Sequence, residues 1–182
     1  AAEALKACQL IILQLEIPLE TVNYAIDFAR QHDIKVILNP APAVASLDID
    51  YACKCDFFMP NETELEILTG MPVGTDDEVI RAGQTLLKRG LKNLIITLGA
   101  RGSLWMAGDT LHQVAPTSVK AVDTSGAGDA FIGCFAHTLV KTGDIPTAMA
   151  QASAYAACSV TGRGTQRSYP DADTFQRFLN VN

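Results

Sequence analysis

Four short apolar runs, at residues 9–14, 36–38, 57–59 and 93–98, are separated by stretches whose apolar positions recur at helical spacing. Runs this short and continuous suit strands buried on both faces, and the stretches between them are long enough for crossover helices. The pattern predicts an α/β fold, a mostly parallel sheet with helices on both faces. Of the 182 residues, 48% are apolar, enough for one sizeable core in a single domain over 1–182 without disulfide support.

The residues between the runs sharpen this outline. Pro18 opens a helix in which Val22, Ile26 and Ala29 share a face. The run at 36–38 ends in Asn39-Pro40-Ala41-Pro42-Ala43, whose prolines forbid continuation as strand or helix. Pro60 leads into Asn61-Glu62-Thr63-Glu64 and a helix reaching Gly70, and Asn61 with Glu64 three residues on has the form of a capping box. A helix over 76–89 carries Val79, Ala82, Leu86 and Leu87 on one face and stops at Gly90. The run at 93–98 passes straight into Gly99-Ala100-Arg101-Gly102, and a hairpin-like pair follows at Ser103–Ala107 and Thr110–Val114. Helices are expected over 127–141, 146–160 and 171–179, with an irregular stretch at 161–170. No internal repeat, low-complexity tract or linker interrupts the chain.

Charge narrows the partners. A net charge of −6 and a pI near 4.9, with no Lys/Arg cluster interleaved with aromatics, exclude a nucleic-acid surface and favour a small-molecule partner. Five cysteines at scattered spacing suit a reducing compartment. Cys53-Lys54-Cys55 is the one close pair, and with no second pair or nearby His a metal site there is not expected. With no apolar run of membrane-spanning length and no basic-then-apolar leader, the expectation is a cytoplasmic protein without a membrane partner.

The chemistry concentrates in Asp123-Thr124-Ser125-Gly126-Ala127-Gly128-Asp129, directly before an apolar helix. Two glycines at spacing two let backbone N–H groups turn toward one point, where the helix dipole favours negative charge. Asp129 would repel a phosphate held there, unless the reaction needs a base or a cation offsets the charge. A glycine turn with an Asp is also a common helix cap. A dinucleotide fingerprint fits poorly because Gly133 comes too late, and a Walker P-loop lacks its Lys.

That stretch resembles the C-terminal signature of the PfkB (ribokinase) family of carbohydrate kinases. Five further stretches resemble the family in the same order: Gln14-Leu15-Glu16, Asn39-Pro40-Ala41-Pro42-Ala43, Pro60-Asn61-Glu62-Thr63-Glu64, Thr97-Leu98-Gly99-Ala100-Arg101-Gly102 and the tail Gly162-Arg163-Gly164-Thr165-Gln166-Arg167-Ser168-Tyr169-Pro170. The resemblance covers essentially the whole chain and implies a ribokinase-like fold with ATP-dependent phosphorylation of D-ribose to D-ribose 5-phosphate. The alternatives are a catalytically impaired nucleotide-binding module and a kinase for another sugar or a nucleoside.

The resemblance also implies roles. Asp129 matches the base that takes the proton of the sugar's primary hydroxyl, and Gly126, Ala127 and Gly128 match the anion hole for the transferring phosphoryl. Glu16 matches a carboxylate that accepts hydrogen bonds from ribose. Asn61, the loop Thr97, Leu98, Gly99, Ala100, Arg101 and Gly102, and Gly128 match nucleotide contacts, and Ser153 stands where relatives often present Asn or His toward adenine. Glu64 matches the glutamate that orients Mg²⁺-bound water. Asp123 and Ser125 match one side of a K⁺ site, with Ser159, Gly162, Gly164 and Ser168 on the other, mostly through backbone oxygens; Gly162 stands where a basic residue is common. The family further implies an N-terminal portion with a lid and sugar-binding glycines ahead of Gln14. The 182 residues alone are therefore expected to bind nucleotide with little sugar-kinase turnover, and a homodimer is expected only of a full-length enzyme.

Overall fold

Each apolar run becomes a strand: β1 (Leu10–Leu13), β2 (Lys35–Leu38), β3 (Phe57–Phe58) and β4 (Leu94–Thr97), followed by β5 (Ser103–Ala107) and β6 (Thr110–Val114). The computed structural model describes residues 2–181. The six strands form one sheet in the order β1-β2-β3-β4-β5-β6. Parallel pairing sets Leu10 against Lys35 through Leu13 against Leu38, Ile37 against Phe57, and Phe58 against Leu94. β1 and β4 are one residue shorter at each end than the runs at 9–14 and 93–98, and the turn Gly108-Asp109 joins β5 to β6.

Crossovers that always step in one direction place their helices on one face of a sheet by the right-handed rule. Yet Val36, Ile37 and Leu38 are all buried, as are Leu94, Ile95 and Ile96. Successive strand residues point to opposite faces, so both faces are covered along β2 and β4. β1 lies at the sheet's edge, and Ile12 there is 44% exposed.

The helices follow the expected signals. α1 (Ala2–Lys6) precedes β1 and was not expected. α2 (Leu19–Gln31) opens after Pro18 and buries Val22, Ile26, Phe28 and Ala29. α3 (Ile49–Ala52), a single turn absent from the sequence reading, is capped by Asp48 and tied to α2 where Tyr51 donates to Asp27 and Lys54 pairs with the same carboxylate at 3.2 Å. Cys53 and Cys55 form the turn that follows, and burial pushes the Cys55 thiol up to about 12. α4 (Glu62–Thr69) ends on Gly70, and α5 (Asp76–Lys88) opens on a second capping box, Thr75 with Glu78.

Two compact units divide the chain. The first takes the chain up to Thr97 together with Leu104–His112, and the second takes Leu98–Ser103 together with the chain from Gln113 on. In the second, α6 (Ala127–Thr142) packs on α7 (Ile145–Ser159), and α8 (Ala172–Leu179) seats Phe175 against Ala154 and Cys158 of α7. Asp144 and Asp171 cap α7 and α8 by accepting the Thr147 and Thr174 N–H groups. Among the described residues, no helix is long and apolar enough to cross a membrane.

Candidate active site

In the first unit the carboxyl ends of the parallel strands are tied together by side chains. Gln14 donates to Asn39 at 3.0 Å, and Asn39, 7% exposed, donates onward to the Met59 carbonyl at 2.7 Å. The Thr97 N–H donates to the Pro60 carbonyl at 3.1 Å, and Asn61 and Thr97 make a parallel bridge. In an α/β sheet this end is where ligands bind, because strand ends and helix N-termini meet there. Glu16 lies exposed just beyond β1.

Asn61 and Glu64 sit at this end as the N-cap and third residue of α4. The Asn61 side chain accepts the Glu64 N–H at 2.8 Å and Glu64 Oε2 accepts the Asn61 N–H at 2.8 Å, completing the expected capping box. Glu64 is buried, and desolvation pushes its carboxyl above the ordinary range even though the Asn61 backbone and side-chain donors pull the other way.

The loop after β4 is a tight turn, Gly99–Arg101, closed where the Leu98 N–H donates to the Gly102 carbonyl at 2.8 Å. Gly102 has φ +91, and a Cβ there would lie 2.1 Å from the Val114 carbonyl oxygen, so only glycine fits. Ser153 on α7 pairs its hydroxyl with that of buried Ser103 at 3.2 Å.

The remaining expected residues of the second unit converge. Asp123 Oδ1 accepts the Ser125 N–H at 3.0 Å, and Oδ2 accepts the Gly164 N–H from 41 residues away at 2.9 Å. The Gly164 amide, followed by the amide and hydroxyl of Ser125, draws the Asp123 carboxyl down to about 2. The Ser168 hydroxyl donates to the Gly164 and Thr165 carbonyls at 2.8 Å, and the Gly162 N–H reaches the Ser159 carbonyl at 3.4 Å. Ser159 itself is buried with its hydroxyl on the Ala156 carbonyl, so only its backbone oxygen faces this loop.

Gly126, at φ +76, turns the chain into α6. The N–H groups of a first helical turn have no intrahelical acceptor, so that of Gly128 is presented outward by construction. The Ala127 N–H donates to the Thr124 carbonyl at 3.2 Å within the turn. Asp129 is exposed and lines a groove of about 640 Å³ along α6, together with Cys134, His137, Tyr155, Tyr169 and Phe175. An anion held by the first turn would therefore lie beside a carboxylate able to take a proton.

The donor sets can be tested against the cations expected. Asp123 keeps a full charge at neutral pH, and its carboxylate accepts the Ser125 and Gly164 N–H groups, closing the loop that carries Gly164 and Ser168. Among the described residues no group of three or more His, Cys, Asp or Glu gathers at one point.

Two contributors were missed by sequence reasoning. Asn39 links the ends of β1 and β3, and Tyr169 donates its hydroxyl to the Gly126 carbonyl at 3.1 Å. Burial, and then the Asp129 carboxylate, push the Tyr169 hydroxyl above its ordinary range. Both residues stand in stretches that carry the family resemblance, Asn39 in 39–43 and Tyr169 in 162–170, but neither was singled out there.

Residues 1–172 match a family described as pfkB family carbohydrate kinase. Over 182 residues the chain is 59% identical to a deoxyribokinase of Salmonella typhi, covering 100% of this chain and 60% of that protein. It is 38% identical over 174 residues to a ribokinase of Mus musculus, covering 93% of this chain and 54% of that one. The structure of an Arabidopsis thaliana ribokinase complexed with ribose and ATP superposes with a TM-score of 0.92 at 28% identity, over 100% of this chain and 59% of that chain. The chain thus spans 60% or less of the length of these relatives.

Proposed function

The chain belongs to the pfkB family of carbohydrate kinases, and from that premise we propose that the protein transfers the γ-phosphoryl of ATP to the primary hydroxyl of a pentose. The observation that carries this reading is the opening of α6, where a left-handed turn at Gly126 is followed by the Gly128 N–H, which has no intrahelical acceptor, and the exposed carboxylate of Asp129. The deoxyribokinase likeness across the whole chain supports 2-deoxy-D-ribose ahead of D-ribose.

Asp129 takes the proton of the attacking hydroxyl as that oxygen bonds to the γ-phosphorus. Gly126, Ala127 and Gly128 hold the transferring phosphoryl by backbone N–H groups at the positive end of α6, the Ala127 N–H exchanging the Thr124 carbonyl for phosphate oxygen. Asn61, Thr97 to Gly102 and Ser153 position the nucleotide, and Glu16 accepts from the sugar. Glu64 would orient water on Mg²⁺, which would supply charge neutralisation on the phosphates. Asp123, Ser125 and the oxygens of Ser159, Gly162, Gly164 and Ser168 would hold K⁺, which would supply positive field at the phosphate turn.

The test is ADP release by the full-length gene product with MgATP and a panel of 2-deoxy-D-ribose, D-ribose, D-fructose and a nucleoside. Pentose-dependent turnover is expected, with the highest kcat/KM on 2-deoxy-D-ribose and activation by K⁺. ATP-analogue binding that sugar does not enhance, together with no sugar-dependent ADP release, would instead identify a nucleotide-binding module.

A further inference from the structure

We propose that Tyr169 is a positioning residue for the phosphoryl-binding turn, its hydroxyl fixing the direction of the Ala127 N–H through the Gly126 carbonyl. The inference rests on the phosphoryl-transfer reading above. Tyr169 Oη donates to the Gly126 oxygen at 3.1 Å, across 43 residues of chain. That same oxygen accepts the Ala130 N–H at 2.9 Å, the first hydrogen bond of α6. The Gly126 carbonyl and the Ala127 N–H belong to one planar peptide group and point in opposite directions. Whatever holds the carbonyl therefore aims the N–H.

Within residues 124–130 this peptide is held at both ends, its Ala127 N–H on the Thr124 carbonyl at 3.2 Å and its oxygen by the Ala130 N–H, and the Tyr169 hydroxyl adds a hold from outside that stretch. Gly126 is in the left-handed region at φ +76, where glycine has no side chain to restrict it. The hydroxyl fills the space a side chain would take, since a Cβ on Gly126 would lie 2.6 Å from Tyr169 Oη. Tyr169 is itself anchored from the helical core of its unit. Tyr155 on α7 donates to the Pro170 carbonyl at 3.0 Å and packs edge-on against Phe175 with ring centroids 5.1 Å apart. Ser168, on the other side, is bonded to the Gly164 and Thr165 carbonyls. Tyr169 lines the groove beside Asp129 as well, so the turn is braced on the side where the reaction is proposed to occur.

Tyr169→Phe keeps the ring and removes only the hydroxyl. With the full-length gene product, kcat, KM for pentose and for ATP, melting temperature, and affinity for MgADP with and without aluminium fluoride, a planar mimic of the transferring phosphoryl, are measured. A donor that acts on the transition state lowers kcat and kcat/KM together. The expected fall is about five- to tenfold, the scale of one hydrogen bond. KM values and MgADP affinity should stay within about twofold, and the extra affinity conferred by fluoride should fall by the same factor as kcat. Wild-type kcat and wild-type fluoride enhancement in Tyr169→Phe, whatever its melting temperature, would reduce the bond to a structural one and overturn the inference. If the unaltered protein phosphorylates no sugar, the functional reading fails separately. The fluoride arm then still decides: a loss in Tyr169→Phe supports the positioning role, and an unchanged or absent enhancement overturns it.

Discussion

Replacing Glu64 by Gln separates two jobs assigned to one side chain. In the capping box its Oε2 accepts the Asn61 N–H at 2.8 Å, and in the proposed reaction its charge orients cation-bound water. Gln keeps an acceptor in nearly the same place and removes the charge. Helix capping interactions of this kind are worth ~1 kcal/mol, and the favourable first-turn position of an anion ~0.3–1 kcal/mol. Against the second stands the desolvation that raises the Glu64 carboxyl above its ordinary 4.5. An acid whose folded pKa is raised binds more protons folded than unfolded, so wild-type stability falls as pH rises through 4.5 toward the folded value. Gln carries no such penalty.

Glu64→Gln should therefore melt within about 2 °C of wild type at pH 7, where Glu64→Ala, lacking the acceptor, should melt about 2–4 °C lower. Glu64→Gln should show less loss of stability than wild type between pH 4 and pH 7. Turnover should fall at least about tenfold in Glu64→Gln, with a higher Mg²⁺ concentration needed for half-maximal rate. Melting as low as the Ala variant would refute the capping argument. An unchanged Mg²⁺ dependence of turnover would refute the metal role, leaving Glu64 a helix cap alone.

Asp129→Asn should abolish phosphoryl transfer and leave ATP-analogue affinity nearly intact; joint loss of both would show that Asp129 holds nucleotide instead of acting as base. Gly102→Ala sets a Cβ against the Val114 oxygen at 2.1 Å and the Ala115 and Pro116 backbone at 3.0 Å, with φ at +91. Strain and overpacking of ~1–3 kcal/mol each predict a loss of about 3 kcal/mol and a melting temperature about 6–12 °C lower, checked by calorimetry. Asp123 has a depressed carboxyl, so its hold on the 161–170 loop is present above its ordinary 3.8 and is lost as pH falls toward about 2. The Gly164 amide resonance should titrate with a midpoint near 2, and a midpoint near 3.8 would mean that the bond across the loop does not form in solution.

Legibility followed separation along the chain. The Asn61–Glu64 capping box spans three residues and could be read directly, because helix geometry alone brings position i to i+3. The Thr75–Glu78 box has the same form and was readable by the same rule, yet only the structure drew it out. α1 and α3 escaped because helices of four or five residues are too short to display a period. The hairpin at Ser103–Ala107 and Thr110–Val114 was found to the residue, since a two-residue turn leaves its strands no other register.

The opening of α6 divides along the same line. By itself the sequence determined that backbone N–H groups and a carboxylate meet at residues 123–129, because glycine conformational freedom and helix polarity are local properties. It determined the alternation of strands and helices to the same extent, since apolar periodicity is written in consecutive residues, whereas the order of the strands in the sheet came from the structure. Only the tertiary structure decided what steadies that turn: Gly164 on Asp123 and Tyr169 on Gly126, bonds 41 and 43 residues long in sequence. Such bonds depend on where the 161–170 loop comes to rest after α7 and α8 have packed, and no period or motif along the chain records that distance.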